Sequence, residues 1–93
     1  MKRYEITKAD LSKYREITAK AINIAKKNVS AEKKKQAEKI IEMVENYLSD
    51  SNHFEQKEDF VNAFGAIYYA HGWIDCGARL KIFEVDDDEL FTI

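Results

Sequence analysis

Two pairs of residues and one cysteine in this chain have the types and spacing that chemistry requires. Asp50 and His53 are three residues apart, and His71 and Asp75 are four apart. Each pair would therefore lie on one face of a helix, where it could share a metal ion or exchange a proton. Cys76 is the single cysteine and would be a nucleophile if a neighbouring base activated its thiol.

The spacing of these residues argues against a shared catalytic or metal site. In an antiparallel pair of helices that turns near residue 57, His53 and His71 would lie about 13 Å apart along the axes. Each pair alone supplies two ligands, whereas zinc sites use three or four protein ligands. His71 is five residues before Cys76 and so points to another side of the helix. We predict no catalytic residue, no metal and no cofactor; an enzyme built on His71 and Asp75 is our third hypothesis.

The elements that position these residues are three predicted helices. The chain of 93 residues has no proline and three glycines, which favours long helices in one small domain. Apolar residues recur with the helical period in three segments joined by short loops, which predicts an all-α, up-down-up three-helix bundle. Thr7, with Asp10 in capping-box spacing, begins the first helix, which ends near Asn28. Ser30 is the predicted N-cap of the second helix, which runs to about Glu55, and Asp59 is that of the third, from Phe60 to Arg79.

We divide the chain into a bundle, residues 1–81, and an acidic C-terminal tail, residues 82–93. The tail has four acidic residues, Asp86 to Glu89, between two apolar pieces. An acidic run is usually solvated, whereas its apolar flanks suggest docking on the bundle or on another chain. Both alternatives stay open at this point.

The third helix has two contrasting apolar faces. Its predicted inner face consists of Ala63, Ala66, Ile67, Ala70, Trp73, Ile74 and Gly77. The opposite side and its polar flank form a candidate interaction face of Gly65, Tyr68, Tyr69, His71, Gly72, Asp75, Cys76 and Arg79. Glycines inside a helix cost about 0.5–1 kcal/mol each relative to alanine, and they usually persist where something approaches the backbone. Aromatic side chains beside small residues are typical of the centres of protein interfaces.

The charge of the chain is unevenly distributed. Residues 1–39 carry 12 basic and 5 acidic groups, and residues 40–93 carry 3 basic and 12 acidic groups. Clustered lysines around the first turn could neutralise the phosphates of a nucleic acid: Lys26, Lys27, Lys33, Lys34, Lys35 and Lys39. The cluster has no arginine and no interleaved aromatic residue, so base stacking or base reading is not expected there. We also predict that the acidic tail emerges near these lysines and neutralises them, within one chain or across a dimer.

The segment from Tyr47 to Leu80 resembles the archaeal domain-of-unknown-function family 357. Members of that family show a similar Asp-x-x-His-Phe, a turn with Asp, an Ala-rich run and then Tyr-Ala-x-Gly-x-x-Asp-x-Gly. The counterparts here are Asp50, His53, Phe54, Asp59, Tyr69, Ala70, Gly72, Asp75 and Gly77. Glu58 and Lys81 depart from the family pattern, since each stands where a glycine would be expected at a helix end. The resemblance implies a compact three-helix bundle and no particular activity.

The sequence favours a non-enzymatic protein-interaction module that binds an unknown protein or a second copy of itself. The alternative is weak, sequence-independent binding of nucleic acid through the lysine cluster. We expect a cytoplasmic protein with no membrane partner. A single cysteine is typical of a reducing compartment, and neither a signal-peptide pattern nor a run of about 18 apolar residues occurs.

Overall fold

The computed structural model describes residues 4–91 and confirms the all-α bundle. Within this range the chain forms three helices: α1, Lys8–Lys26; α2, Lys34–Gln56; and α3, Phe60–Arg79. Short connections make consecutive helices antiparallel neighbours. α2 and α3 form the most extensive helix pair, and α1 packs against both.

Local sequence signals explain where α1 and α3 begin. Thr7 and Asp10 form the predicted capping box: the Thr7 Oγ1 atom accepts from the Asp10 amide at 3.1 Å, and the Asp10 carboxylate accepts from the Thr7 amide at 3.0 Å. Asp59 caps α3 by accepting a hydrogen bond from the Asn62 amide at 3.2 Å. Both start sites are as predicted, because a cap is a local interaction that depends on a few neighbouring residues.

The start of α2 differs from the prediction. Ser30 is not its N-cap; Lys33 takes that position, without a side-chain capping bond. The Ser30 amide instead donates to the Ile82 carbonyl at 2.9 Å, and the Glu84 amide donates to the Asn28 carbonyl at 2.6 Å. This short antiparallel pairing with the C-terminal segment holds residues 28–30 out of helical conformation. The helix therefore begins later than Ser30.

The C-terminal ends of α2 and α3 have the same unusual backbone. Glu58 and Lys81 follow the two helices with φ of 60° and 59°, the left-handed region that glycine favours. After α2, the Asp59 amide donates to the Phe54 carbonyl at 2.9 Å. After α3, the Ile82 amide donates to the Gly77 carbonyl at 2.8 Å. These are the bonds of a Schellman motif, formed here without glycine.

The apolar core has two parts that differ in position along the bundle. The smaller cluster lies near the start of α1 and α3 and is built on Leu11, Ala63 and Ile67. The larger cluster lies towards the other end and includes Val44, Ile74 and Phe83. In α1 and α2, the polar side chains of Thr18 and Ser51 are also buried.

The C-terminal segment packs on the bundle as far as the structure describes it. Ile82, Phe83 and Phe91 are buried, and all three belong to the larger core cluster. Between them, residues 86–89 are exposed and form a turn in which the Asp87 carboxylate accepts from the Glu89 amide at 2.9 Å. The apolar residues on both sides of the acidic run therefore contribute to the core, while the acidic side chains face solvent.

A polar contact joins α1 and α2. The Arg15 guanidinium donates to the hydroxyl of Ser51 at 3.0 Å and to the carboxylate of Glu55 at 2.8 Å. The fully buried Ser51 hydroxyl in turn donates to the Leu48 carbonyl at 2.8 Å. The long Arg15 side chain thus satisfies a buried hydroxyl and pairs with an acidic residue one turn further along α2.

Among the helices of residues 4–91, none combines the length and apolar character needed to cross a membrane.

Candidate functional site

The outer side of α3 is an exposed apolar surface, which we call the α3 face. Its large side chains are Val61, Tyr68, Tyr69, Trp73 and Leu80, of which Tyr68 is 55% and Tyr69 65% exposed. Between them runs an open groove of about 510 Å³, lined by Gly65, Tyr68, Tyr69, Gly72, Trp73 and Cys76. The C-terminal segment packs elsewhere up to Phe91 and leaves this groove uncovered.

The two tyrosines of the α3 face are held in place by aromatic neighbours. Tyr69 stacks on Tyr47 of α2, with ring centroids 5.3 Å apart. Tyr68 meets Phe64 edge-on at 4.8 Å and lies 6.0 Å from the ring of Tyr14 on α1. Stacked and edge-to-face pairs of this kind restrict ring motion and stabilise one arrangement. The walls of the groove are therefore formed before any partner binds.

The glycines of α3 fall into two classes. A methyl group on Gly65 or Gly72 would meet no atom of another residue within 4 Å, apart from the adjoining backbone. A methyl group on Gly77 would lie 2.6 Å from the ring of Phe83. Packing within the chain explains Gly77, but it does not explain glycine at the two positions on the floor of the groove.

Trp73 lies at the rim of the groove and not on the inner face where the sequence placed it. It is 36% exposed, whereas its predicted inner neighbours Ala70 and Ile74 are fully buried. Ala78, which the sequence reasoning left out, takes part in the core instead. The indole is too large for the close α2–α3 contact that the alanines allow. Its position four residues after Tyr69 is the sequence signal that would have assigned it to the groove.

His71 lies on the α1 side of α3, away from the groove. Its Nδ1 atom is 3.0 Å from the hydroxyl of the buried Thr18, and its Nε2 atom is 2.9 Å from the carbonyl of Leu90. A carbonyl oxygen only accepts, so Nε2 carries the proton and donates it. His71 thereby connects α1, α3 and the C-terminal segment.

The two other polar residues of the predicted interaction face are Asp75, which lies beside His71, and Arg79, which is exposed. Asp75 is half-buried, with a carboxylate oxygen 3.8 Å from His71 Nε2. Arg79 is exposed in the last turn of α3. The groove itself is thus lined by apolar and small residues, with His71, Asp75 and Arg79 outside it.

The potentially reactive residues lie in three different parts of the molecule. Cys76 is exposed in the groove, while both nitrogens of His71 are engaged with Thr18 and Leu90. Asp50 and His53 are exposed at the opposite end of α2 from its lysine-rich start. In residues 4–91, no three His, Cys, Asp or Glu side chains come together as a metal site would require.

Comparison with known families shows to which family the chain belongs. The model of the family described as "Protein of unknown function (DUF357)" matches residues 13–83. The chain belongs to the DUF357 family. Neither the curated proteins nor the solved structures give a significant match to it.

The matched region of this DUF357 protein contains the whole α3 face. It extends from the second turn of α1 to Phe83 and so includes the residue that packs against Gly77. Several residues of the family-like pattern have structural roles here: Asp59 caps α3, Ala70 is fully buried and Gly77 accommodates Phe83. A Cβ at Gly72, by contrast, would meet no atom within 4 Å in residues 4–91, so packing there does not require glycine.

The lysine cluster of this DUF357 protein is only partly free. Lys26 forms an ion pair with Glu45, and Lys33 donates to the Leu80 carbonyl at the end of α3, at 2.8 Å. The remaining members are exposed and have no ion pair within the described chain: Lys27, Lys34, Lys35 and Lys39. No ion pair joins the lysine cluster to residues 86–89 in that range either, so the predicted neutralisation by the tail is not seen as direct pairs within one chain.

Proposed function

We propose that this DUF357 protein is a non-enzymatic interaction module that binds a protein partner through the α3 face. The observation that carries the proposal is the pair of glycines, Gly65 and Gly72, on the floor of an uncovered aromatic groove. Each glycine destabilises the helix by about 0.5–1 kcal/mol relative to alanine. Within residues 4–91, no atom from another part of the chain lies within 4 Å of a Cβ built at either position. A partner backbone lying in the groove would use the space that their missing side chains leave.

The aromatic walls support the same conclusion. Tyr68 and Tyr69 expose more than half of their surface, yet each is fixed by neighbouring rings. Rigid tyrosines lose little conformational entropy on binding and supply large contact areas. Scattered exposed apolar residues need no explanation, but a contiguous aromatic patch on a small domain is typical of an interaction site.

Retention of a partner by variants of the α3 face tests the proposal. Gly72→Arg places a long cation at the centre of the groove. The added Cβ meets no atom within 4 Å and the groove is open to solvent, so the fold is expected to persist. Ser12→Arg adds the same side chain to an exposed position on α1 and is the matched control. Tagged wild type and both variants are mixed with an untagged copy of the chain or with a lysate, and the retained proteins are compared.

We expect a partner, either the untagged copy or another protein, that wild type and Ser12→Arg retain and Gly72→Arg does not. Circular dichroism should show the same helix content for all three. Equal retention by all three proteins, or no retention by any of them, would contradict the proposal.

The second candidate function is weak, sequence-independent binding of nucleic acid at the lysine cluster. Four exposed lysines that form no ion pair within residues 4–91 favour it, together with the first turn of α2, which contains no acidic residue. The positive end of the α2 dipole therefore coincides with Lys34 and Lys35. Both features raise the local positive potential.

Salt dependence distinguishes this second function from the first. With a single-stranded oligonucleotide as the probe, four phosphate contacts would give a slope of about −3 in a plot of log affinity against log salt, at about −0.7 per contact. Lys34→Gln combined with Lys35→Gln should make the slope shallower by about 1.4. Glu32→Gln with Glu38→Gln is the control and should not weaken binding.

The cytoplasmic location and archaeal origin remain predictions.

A further inference from the structure

The central residues of the α3 face are spaced so that the face can pair with a copy of itself. Gly65, Tyr69, Gly72 and Cys76 follow one another at intervals of four, three and four residues, the spacing of a coiled-coil seam. This order is symmetric about the level of Ala70 and His71, which lie on the back of the helix. A two-fold axis at that level, perpendicular to the helix and lying in the plane between two copies, would cross the middle of the groove.

We propose that α3 pairs with α3 of a second copy, antiparallel, around a two-fold axis at the level of Ala70 and His71. The inference rests on the proposed function and names its partner. In an isologous contact each residue on one side of the axis meets the residue equally distant on the other side. Tyr69 then shares a layer with Gly72 of the second copy, and Gly65 shares one with Cys76 of the second copy.

This arrangement places large side chains beside small ones throughout the seam. The Tyr69 ring occupies the space left by Gly72 of the second copy, and the two-fold axis repeats the contact. Gly65 and Cys76 are both small, so the helix axes can approach to about 8 Å, the lower end of helix packing distances. Interdigitation of large and small residues is how helix interfaces reach the density of a protein core.

The flanks of the seam are compatible with the same axis. Trp73 of one copy lies at nearly the same height as Tyr69 of the other, on the same flank, which extends the aromatic contact. The four seam residues carry no charge. The Asp75 side chains of the two copies would lie about 13 Å apart along the axes, beyond one Debye length at physiological salt. Among these α3 residues, the pairing therefore brings no like charges together.

The available area predicts a reversible dimer. The exposed parts of Val61, Tyr68, Tyr69, Trp73 and Leu80 amount to an apolar surface on the order of 500 Å². A standard stable interface buries about 800 Å² per partner. We therefore expect association in the micromolar range, with the half-buried rings of Tyr47 and Phe64 adding to the contact.

Disulfide trapping tests both the pairing and its register. In Gly65→Cys, the new cysteine would face Cys76 of the second copy within the distance of about 4.4–6.8 Å that a disulfide spans between Cα atoms. A methyl group at position 65 meets no atom within 4 Å, so the substitution leaves the fold intact. Mild oxidation should convert most of this variant to a covalent dimer held by two disulfides.

Two proteins serve as controls for the register. In the wild type, the two Cys76 side chains would lie about 16 Å apart along the axes, since each residue advances the helix by about 1.5 Å. In Gly65→Cys combined with Cys76→Ser, the two cysteines at position 65 are separated by the same distance. Neither protein should form a covalent dimer. A parallel pairing would give the opposite result, cross-linking both controls.

Sedimentation equilibrium of the reduced wild type and of Gly72→Arg completes the test. We expect a monomer–dimer equilibrium for the wild type and a monomer for Gly72→Arg. A wild type that stays monomeric at high micromolar concentration would overturn the inference. So would a dimer in which Gly65→Cys does not cross-link or in which either control does. The pairing inference and the proposed function can fail separately. If one of these overturning results were found, but the protein retained another protein in a way that depends on Gly72, the inference would fail while the proposed function stood.

Discussion

Gly77 in α3 lies against the ring of Phe83 so closely that a methyl group on Gly77 would come within 2.6 Å of the Phe83 Cε2 atom and 3.3 Å of Ile40. Phe83 is fully buried, and it belongs to the segment that follows α3. The absent side chain of one residue thus provides the space that anchors the C-terminal segment to the bundle.

Gly77→Ala should destabilise the protein by about 1–2 kcal/mol. Overpacking in a core costs about 1–3 kcal/mol, and the better helix propensity of alanine offsets up to about 1 kcal/mol of that. Gly65→Ala and Gly72→Ala are matched controls and should be stabilising by about 0.5–1 kcal/mol, because their added methyl groups meet nothing. Urea denaturation of the three variants measures the difference; equal effects at all three positions would contradict the packing explanation.

Replacing Glu58 or Lys81 by glycine should stabilise the protein by about 0.5–1 kcal/mol each. Both residues have positive φ, a conformation that costs a residue with a Cβ about 1–2 kcal/mol. Glycine removes this cost, but its greater conformational freedom in the unfolded state offsets part of the gain. Lys57→Gly is the control, since Lys57 has φ of −89° and should lose stability. The denaturation midpoints of the three variants decide the matter, and a loss of stability in Glu58→Gly would contradict the prediction.

His71→Ala should destabilise the protein by about 1–3 kcal/mol and loosen the C-terminal segment. The buried Thr18 hydroxyl and the Leu90 carbonyl would both lose their partner. His53→Ala removes an exposed histidine and should change stability by less than about 0.5 kcal/mol.

Amide hydrogen exchange and limited proteolysis provide the local measurement for His71→Ala. We expect faster exchange at Phe91, whose amide donates to the Asp87 carbonyl, and faster cleavage within residues 84–91. Unchanged protection of that segment would show that its apolar contacts alone hold it.

A double-mutant cycle on Arg15 and Glu55 should give a coupling energy of about 0.5–1 kcal/mol that decreases with salt. The pair is about one-fifth to one-quarter exposed, so solvent screens it partly. The more exposed pair of Lys26 and Glu45 is the comparison and should couple by less than about 0.5 kcal/mol. A larger coupling in the exposed pair would contradict this ranking.

Much of the fold could be predicted from the sequence because its signals act locally. The Thr7–Asp10 capping box, the Asp59 cap and the bounds of α3 depend on residues close together in the chain. The helical period identified Ala63, Ala70 and Ile74 on the inner face of α3 as core residues, since one stripe of each helix must be buried. The glycine-tyrosine face of α3 was also found in this way.

The remaining features depend on residues that are distant in the chain. Ser30 is a residue type that favours the N-cap position, but its backbone pairs with Ile82 and α2 begins later, at Lys34. No local sequence signal indicates that pairing. Trp73 is apolar and lies next to the inner stripe, and only the close packing of α2 on α3 leaves no room for it there. His71 had the spacing of a surface pair with Asp75, yet Thr18 and Leu90 engage both its nitrogens.

The sequence by itself determined three helices, the N-caps of α1 and α3 and an apolar outer face on α3, because propensity, capping and periodicity are set over a few turns. Tertiary structure decided that this face stays open, because Gly77 accommodates Phe83 and directs the C-terminal segment to the core instead. Which of two apolar surfaces a segment covers is settled by three-dimensional fit, and fit depends on side chains that the linear pattern does not bring together.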